Sequence, residues 1–83
     1  EDIELLPDGR WRIQGGADLE EVAHAWNRTL PTDTYETFSG YVCDLIGRVP
    51  EDGETFQWEG DGLLLDVQKV EGHVVQETLV QLL

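Results

Sequence analysis

The amino-acid sequence predicts an α+β fold of order β-β-α-α-β-β-β, a mainly antiparallel sheet with two helices on one face. Three observations lead there. Both ends of the chain carry short apolar runs bounded by Gly, Pro and Asp, which is how strands and their turns read. The middle third spaces its apolar residues at helical intervals instead. Strands gathered at both ends, with helices between them, favour hairpin-linked antiparallel pairing over the strand–helix alternation of a parallel sheet.

The first two strands are Ile3 to Leu6 and Arg10 to Gln14, parted by Pro7-Asp8-Gly9. Gly9 can take the positive φ that such a hairpin turn requires. Gly15-Gly16 ends the second strand, and Asp18 opens the first helix as an N-cap, with Glu21 where a capping-box partner belongs. Leu19, Val22, Ala23 and Trp26 make one apolar stripe, while Glu20, Glu21 and His24 fall on the water side. Acidic residues in that first turn also suit the helix dipole. Pro31 closes the region. The second helix spans Thr37 to Ile46, with Phe38, Tyr41, Val42, Leu45 and Ile46 at helical spacing. Thr34 or Thr37 caps its start, Gly47 takes the C′ position, and Pro50 prevents continuation. Gly40 costs this helix about 1 kcal/mol relative to Ala. Close approach of another backbone is the expected reason it is tolerated there.

The last third reads as β-structure. Thr55 to Trp58 alternates, with Phe56 and Trp58 on one face, and Glu59-Gly60-Asp61-Gly62 follows as a turn. Leu63, Leu65 and Val67 share a face opposite Asp66 and Gln68. Glu71-Gly72 forms the next turn, and His73 to Leu82 is a final long strand rich in Val and Leu.

Length and composition bound the function. Eighty-three residues hold one domain, 1–83, and 40% apolar content is enough to fold it without disulfide or metal staples. Cys43 is the single cysteine, so no intrachain disulfide forms. No apolar run approaches the roughly 18 residues that cross a bilayer. The longest, Leu63-Leu64-Leu65, is broken at once by Asp66, and no leader pattern opens the chain. A soluble domain is expected. The sequence contains no Met and begins at Glu1, so it reads as an excised piece of a longer protein. Eighteen acidic residues against five basic ones give a net charge of −13. Nucleic acid binding needs clustered Lys and Arg to neutralise phosphates. Arg10, Arg12, Arg28, Arg48 and Lys69 are too few and too scattered for that, and an anionic membrane surface would repel the chain. Partners should be cationic, neutral or basic-faced.

Candidate chemistry is sparse. His24, His73 and Cys43 show no zinc spacing. Glu51, Asp52 and Glu54 crowd one loop, and Glu59 with Asp61 the next, which allows at most weak surface binding of a divalent cation through oxygen ligands. Ser39 lies within a helix in a Phe38-Ser39-Gly40 setting, unlike a nucleophile elbow, and Cys43 lies on the same helix. Gly15-Gly16-Ala17-Asp18 before a helix lacks both glycine-rich phosphate-binding patterns, and Asp18 puts negative charge where a phosphate would sit. No catalytic, cofactor-binding or metal-ligating residue is assigned, and the chain is not expected to be an enzyme.

Taken in order, the elements resemble the CorC/HlyC transporter-associated domain, the C-terminal module of hemolysin-like and magnesium/cobalt efflux-type membrane proteins. The resemblance covers nearly the whole chain. It runs from Ile3-Glu4-Leu5-Leu6 and Asp8-Gly9-Arg10-Trp11, through Gly16 and Leu19, to Tyr35-Glu36-Thr37-Phe38-Ser39-Gly40-Tyr41-Val42. It then includes Leu45-Ile46-Gly47-Arg48-Val49-Pro50, Gly53-Glu54, Leu65-Asp66-Val67 and Gly72-His73-Val74-Val75. Each motif is a capped helix or a Gly/Pro turn, and their order and spacing carry the specificity. Gly72-His73 departs from the family, which often has another basic residue near the last hairpin. The resemblance implies a non-catalytic accessory domain that follows a paired CBS module and a membrane domain. It would lie at the cytoplasmic face of a bacterial inner membrane and modulate ion transport, with the rest of the parent chain as its partner. The implied fold is like the domain that holds part of FAD in certain flavoenzymes. A nucleotide-binding module (FAD or adenylate) and a dimerisation domain, giving a homodimer, stand as alternatives. Trp11, Phe56 and Trp58 would form a docking face if exposed, and core if buried.

Overall fold

The computed structural model describes residues 1–83. Its elements follow the expected order: β1 (Ile3–Leu5), β2 (Trp11–Gln14), α1 (Leu19–Trp26), α2 (Phe38–Ile46), β3 (Phe56–Gly60), β4 (Leu63–Glu71) and β5 (Val74–Leu82). They form one five-stranded sheet of spatial order β1-β2-β5-β4-β3, antiparallel throughout. The last strand thus inserts between the two hairpins and joins the ends of the chain into one sheet.

Register decides what each face carries, because partners directly opposite share a face. One row crosses the sheet as Leu5, Trp11, Val80, Leu65 and Trp58, and the next as Ile3, Ile13, Thr78, Val67 and Phe56. Ile13, Leu65, Val67, Thr78 and Val80 in these rows are fully buried. Leu19, Val22 and Trp26 of α1, with Phe38, Tyr41 and Val42 of α2, supply the other half of the core. α2 lies against β5 and β2, and the Trp26 and Phe38 rings meet edge-on with centroids 5.9 Å apart. The opposite face of the sheet carries Glu4, Arg12, Leu79, Asp66 and Gln57 in one row and is open to water.

Several local expectations change. Thr37, not Thr34, caps α2, its hydroxyl accepting from the Gly40 N–H at 3.3 Å. Asp18 caps α1 by accepting from the Glu20 N–H at 2.8 Å, and the reciprocal contact from Glu21 does not form. β3 continues to Gly60, so its turn is the two residues Asp61-Gly62, both at positive φ (53° and 74°). That is the turn geometry whose twist matches the flanking strands. The last hairpin likewise turns on Gly72-His73, at φ 64° and 60°, so His73 belongs to the turn and β5 begins at Val74.

The close backbone approach expected at Gly40 occurs at Gly15. A Cβ on Gly40 would meet only the Thr37 and Tyr35 side chains, at 3.6 Å and beyond, whereas one on Gly15 would overlap the Val75 carbonyl.

Candidate functional site

Arg12 of β2 meets Glu4 of β1 and Glu77 of β5 on the open face of the sheet, and two further places gather polar side chains from the helices and loops. The first lies where both helices begin. The segment entering α1 pairs with the segment entering α2: the Leu19 N–H donates to the Glu36 carbonyl (3.0 Å) and the Phe38 N–H to that of Ala17 (3.0 Å). The two helix N-termini therefore stand side by side. Beside them the α1–α2 loop completes a cleft of about 320 Å³, lined by Asp18, Glu20, Thr32, Asp33, Thr34, Tyr35 and Glu36. None of its four carboxylates pairs with a basic side chain. Asp18 and Glu20 stand instead at the N-terminus of α1, where negative charge is stabilising.

The second place is the β3–β4 turn. The Tyr41 hydroxyl donates to the Asp61 carboxylate at 2.7 Å, and the Arg28 guanidinium donates to the carbonyls of Gly62 (2.9 Å) and Leu83 (2.8 Å). Burial, reinforced by the neighbouring Asp61 charge, pushes the Tyr41 phenol well above its ordinary pKa, so it remains a neutral donor. Arg28 thus ties the loop after α1 to the turn and to the end of the chain, and Tyr41 does the same from α2. The Asp-Gly pair is a readable hairpin signal. Nothing local announces the role of Arg28, whose acceptors lie 34 and 55 residues away.

The residues singled out by sequence land apart. Among His, Cys, Asp and Glu side chains no group of three or more stands where it could hold a metal ion. Glu54 accepts two bonds from Arg48, one at 2.9 Å, and another from the Glu51 N–H at 2.9 Å; these depress its pKa to about 2. Asp52 accepts from the His73 N–H at 2.9 Å, which lowers its pKa. Asp61 is taken by Tyr41. The crowded loop carboxylates Asp52, Glu54 and Asp61 therefore serve turns and loops.

Ser39 is buried and accepts from the Val75 N–H at 3.0 Å, at the point where β2 has turned away and left that donor without a strand partner. Cys43 is half-buried, and burial pushes its thiol pKa up, away from reactivity. The amides between β2 and α1 are committed as well: the Gly15 N–H donates to the Gln76 carbonyl, Ala17 to that of Gln14 and Glu20 to the Asp18 side chain. Little is left with which to cradle a phosphate. Trp11, Phe56 and Trp58 are each half-buried at the margins of the core, between the two fates expected of them.

Fold and side chains define a small antiparallel α+β module in which Arg28, Ser39, Tyr41, Arg48, Asp52 and Glu54 hold turns, loops and helix to sheet. The chain belongs to the transporter associated domain family (CorC_HlyC), whose model matches residues 4–83. It is 35% identical over 82 residues to the UPF0053 protein YegH of Escherichia coli, covering 95% of this chain and 15% of that protein. It is 36% identical over 69 residues to a UPF0053 protein of Mycobacterium tuberculosis, covering 80% of this chain and again 15% of the relative. The chain thus spans less than a fifth of these curated relatives. Among solved structures, the CorC_HlyC domain from Nitrosomonas europaea superposes with a TM-score of 0.79 at 24% identity, covering 100% of this chain and 98% of that one. The corresponding domain of a Xylella fastidiosa hemolysin, solved in complex with Mg²⁺ and Mn²⁺, gives 0.74 at 25% identity and covers 100% of this chain and 99% of that one. The two structures bear out the expected fold.

Proposed function

We propose that residues 1–83 are a single non-catalytic accessory domain within a larger membrane protein, modulating transport of a divalent cation such as Mg²⁺ or Co²⁺ from the cytoplasmic side. The observation that carries this is the family match over residues 4–83, together with relatives several times longer than the matched stretch. A solved relative described as a Mg²⁺ and Co²⁺ transporter associated region supports the choice of ions, and another from a CBS domain protein supports the expected neighbours.

The chemistry of the chain is compatible with a role exercised through contact. Its candidate nucleophiles, Ser39 and Cys43, are respectively bonded into the sheet and raised in pKa by burial. Such a domain alters transport only if it docks differently on different states of the transporter, because a contact made equally in both shifts nothing. The partner is then the rest of the parent chain, presenting a neutral or basic face to an acidic domain.

The test is metal flux through the parent protein with and without these residues, in vesicles loaded with Mg²⁺ or Co²⁺. Excision should change the rate of efflux or its response to regulators while leaving membrane insertion intact. Flux and regulation identical to the intact protein for both ions would sink the proposal.

A further inference from the structure

The two edges of the sheet are not protected alike. β1 is three residues long and is followed at once by Leu6-Pro7, and shortness and proline both blunt an edge against pairing. β3 runs for five residues, FQWEG, with neither proline nor lysine, and pairs with β4 in unbroken register. Around the two-residue Asp61-Gly62 turn, Gly60 and Leu63 exchange both of their backbone bonds. The amides of Phe56, Trp58 and Gly60 therefore face β4, and those of Gln57 and Glu59 face outward. No backbone bond outside the ladder reaches Gln57 or Glu59. Along this margin Phe56 and Trp58 remain half-buried, and the Trp58 indole folds over Gly60, where a Cβ would stand 2.6 Å from Cη2.

We infer that the free edge of β3 pairs with β3 of a second copy of this chain, antiparallel about a twofold axis at Trp58. This register sets Trp58 against Trp58, Gln57 against Glu59 twice, and Phe56 against the side-chain-free Gly60 twice. Aromatic pairs and amide–carboxylate pairs suit directly opposed positions, and no two like charges face each other. The neighbouring registers fit less well: centring on Glu59 opposes two carboxylates, and centring on Gln57 draws in Glu54 and Thr55, which lie outside the strand. Each copy carries a net charge of −13, so a diffuse repulsion opposes association. Salt screens that repulsion, with a Debye length of about 8 Å at physiological ionic strength. Self-pairing therefore tightens as salt is added, whereas capture of a cationic segment at the same edge weakens.

The pairing goes beyond the accessory role, which does not depend on it. Sedimentation equilibrium of the 83-residue chain, from micromolar to millimolar concentration, reads it directly. The expected result is a monomer–dimer equilibrium that tightens with added NaCl. Gln57 is exposed but lies opposite Asp66 within its own chain, so the thermal melt of each variant is measured alongside its association, at a temperature where both are folded. Gln57→Glu sets like charges opposite each other at two places and should weaken the dimer about fivefold, and Gln57→Lys should tighten it by a similar factor. A chain that stays monomeric throughout, association that weakens with salt, or equal dissociation constants for the two variants would overturn the inference. Weakening by Gln57→Lys would overturn the Trp58 register.

Discussion

At the scale of single residues, the junction of Gly15, Ser39 and Val75 shows how a few atoms position a helix on a sheet. The Gly15 N–H donates to Gln76, its carbonyl accepts from the Ser39 N–H (2.9 Å), and the Ser39 hydroxyl accepts from Val75. Three backbone groups that the departure of β2 would have left unpaired are thereby satisfied, and a buried unpaired donor costs about 1–3 kcal/mol. The Thr78 hydroxyl, in the same sheet and equally buried, has no partner. Gly15 is present because any Cβ would occupy the Val75 carbonyl, whereas Gly40 lies in an ordinary helical setting with room above it. The two glycines should respond oppositely to the same change. Gly15→Ala should destabilise the chain by about 3 kcal/mol through backbone displacement. Gly40→Ala should stabilise it by about 0.5–1 kcal/mol, the usual helical gain. Urea denaturation of both variants checks the pair of signs.

At the scale of elements, the segment between α2 and β3 is an irregular connection held by charge. Gly47 ends α2 at φ 75°, and Pro50 after it is buried. Arg48 bonds Glu54 and lies 5.0 Å from the centroid of the Phe56 ring, and Asp52 reaches across to the β4–β5 turn. The sign of the pH dependence follows from the depressed carboxyls. Glu54 has a folded pKa of about 2 against an ordinary 4.5, so its contribution is fully present above the ordinary value and is lost as pH falls toward 2. Asp52, also lowered, acts in the same direction. In thermal melts taken as a function of pH, the difference between the native chain and Glu54→Gln should be constant above about pH 5. It should shrink below that and vanish near pH 2. A difference independent of pH across that window would show that the pair contributes through shape alone.

At the scale of the whole molecule, charge is unevenly committed. Arg10, Arg12, Arg48 and Lys69 each sit within 4 Å of an acidic partner, and Arg28 is turned onto backbone carbonyls. The surplus acids, including the four that line the cleft between α1 and the α1–α2 loop, have no basic partner. Exposed ion pairs contribute little each, so the general repulsion of a net −13 outweighs them. The melting temperature should accordingly rise with NaCl by a few degrees for this size of chain. A fall would mean that the surface pairs dominate.

Element order, both helices and the identity of the core were legible in the amino-acid sequence, because spacing and capping are local properties. Of the stripe Leu19, Val22, Ala23 and Trp26, all but the half-buried Ala23 are buried, and the alternation of Leu63, Leu65 and Val67 points inward as read. Turn boundaries were less legible: Asp61 and His73 accept positive φ only because the register of long strands places the turns there. The polar junctions escaped altogether. The bond from Ser39 to Val75 spans 36 residues, and that from Arg28 to Leu83 spans 55. By itself the sequence determined which segments are helix or strand, which residues are apolar enough to seek the core, and the resemblance to the family. Tertiary structure alone decided that β5 lies between β2 and β4, that Gly15 rather than Gly40 meets a neighbouring backbone, and that the loop carboxylates hold turns. The physical reason is that hydrogen bonds and steric contacts between distant segments depend on strand order and register, which no local pattern encodes.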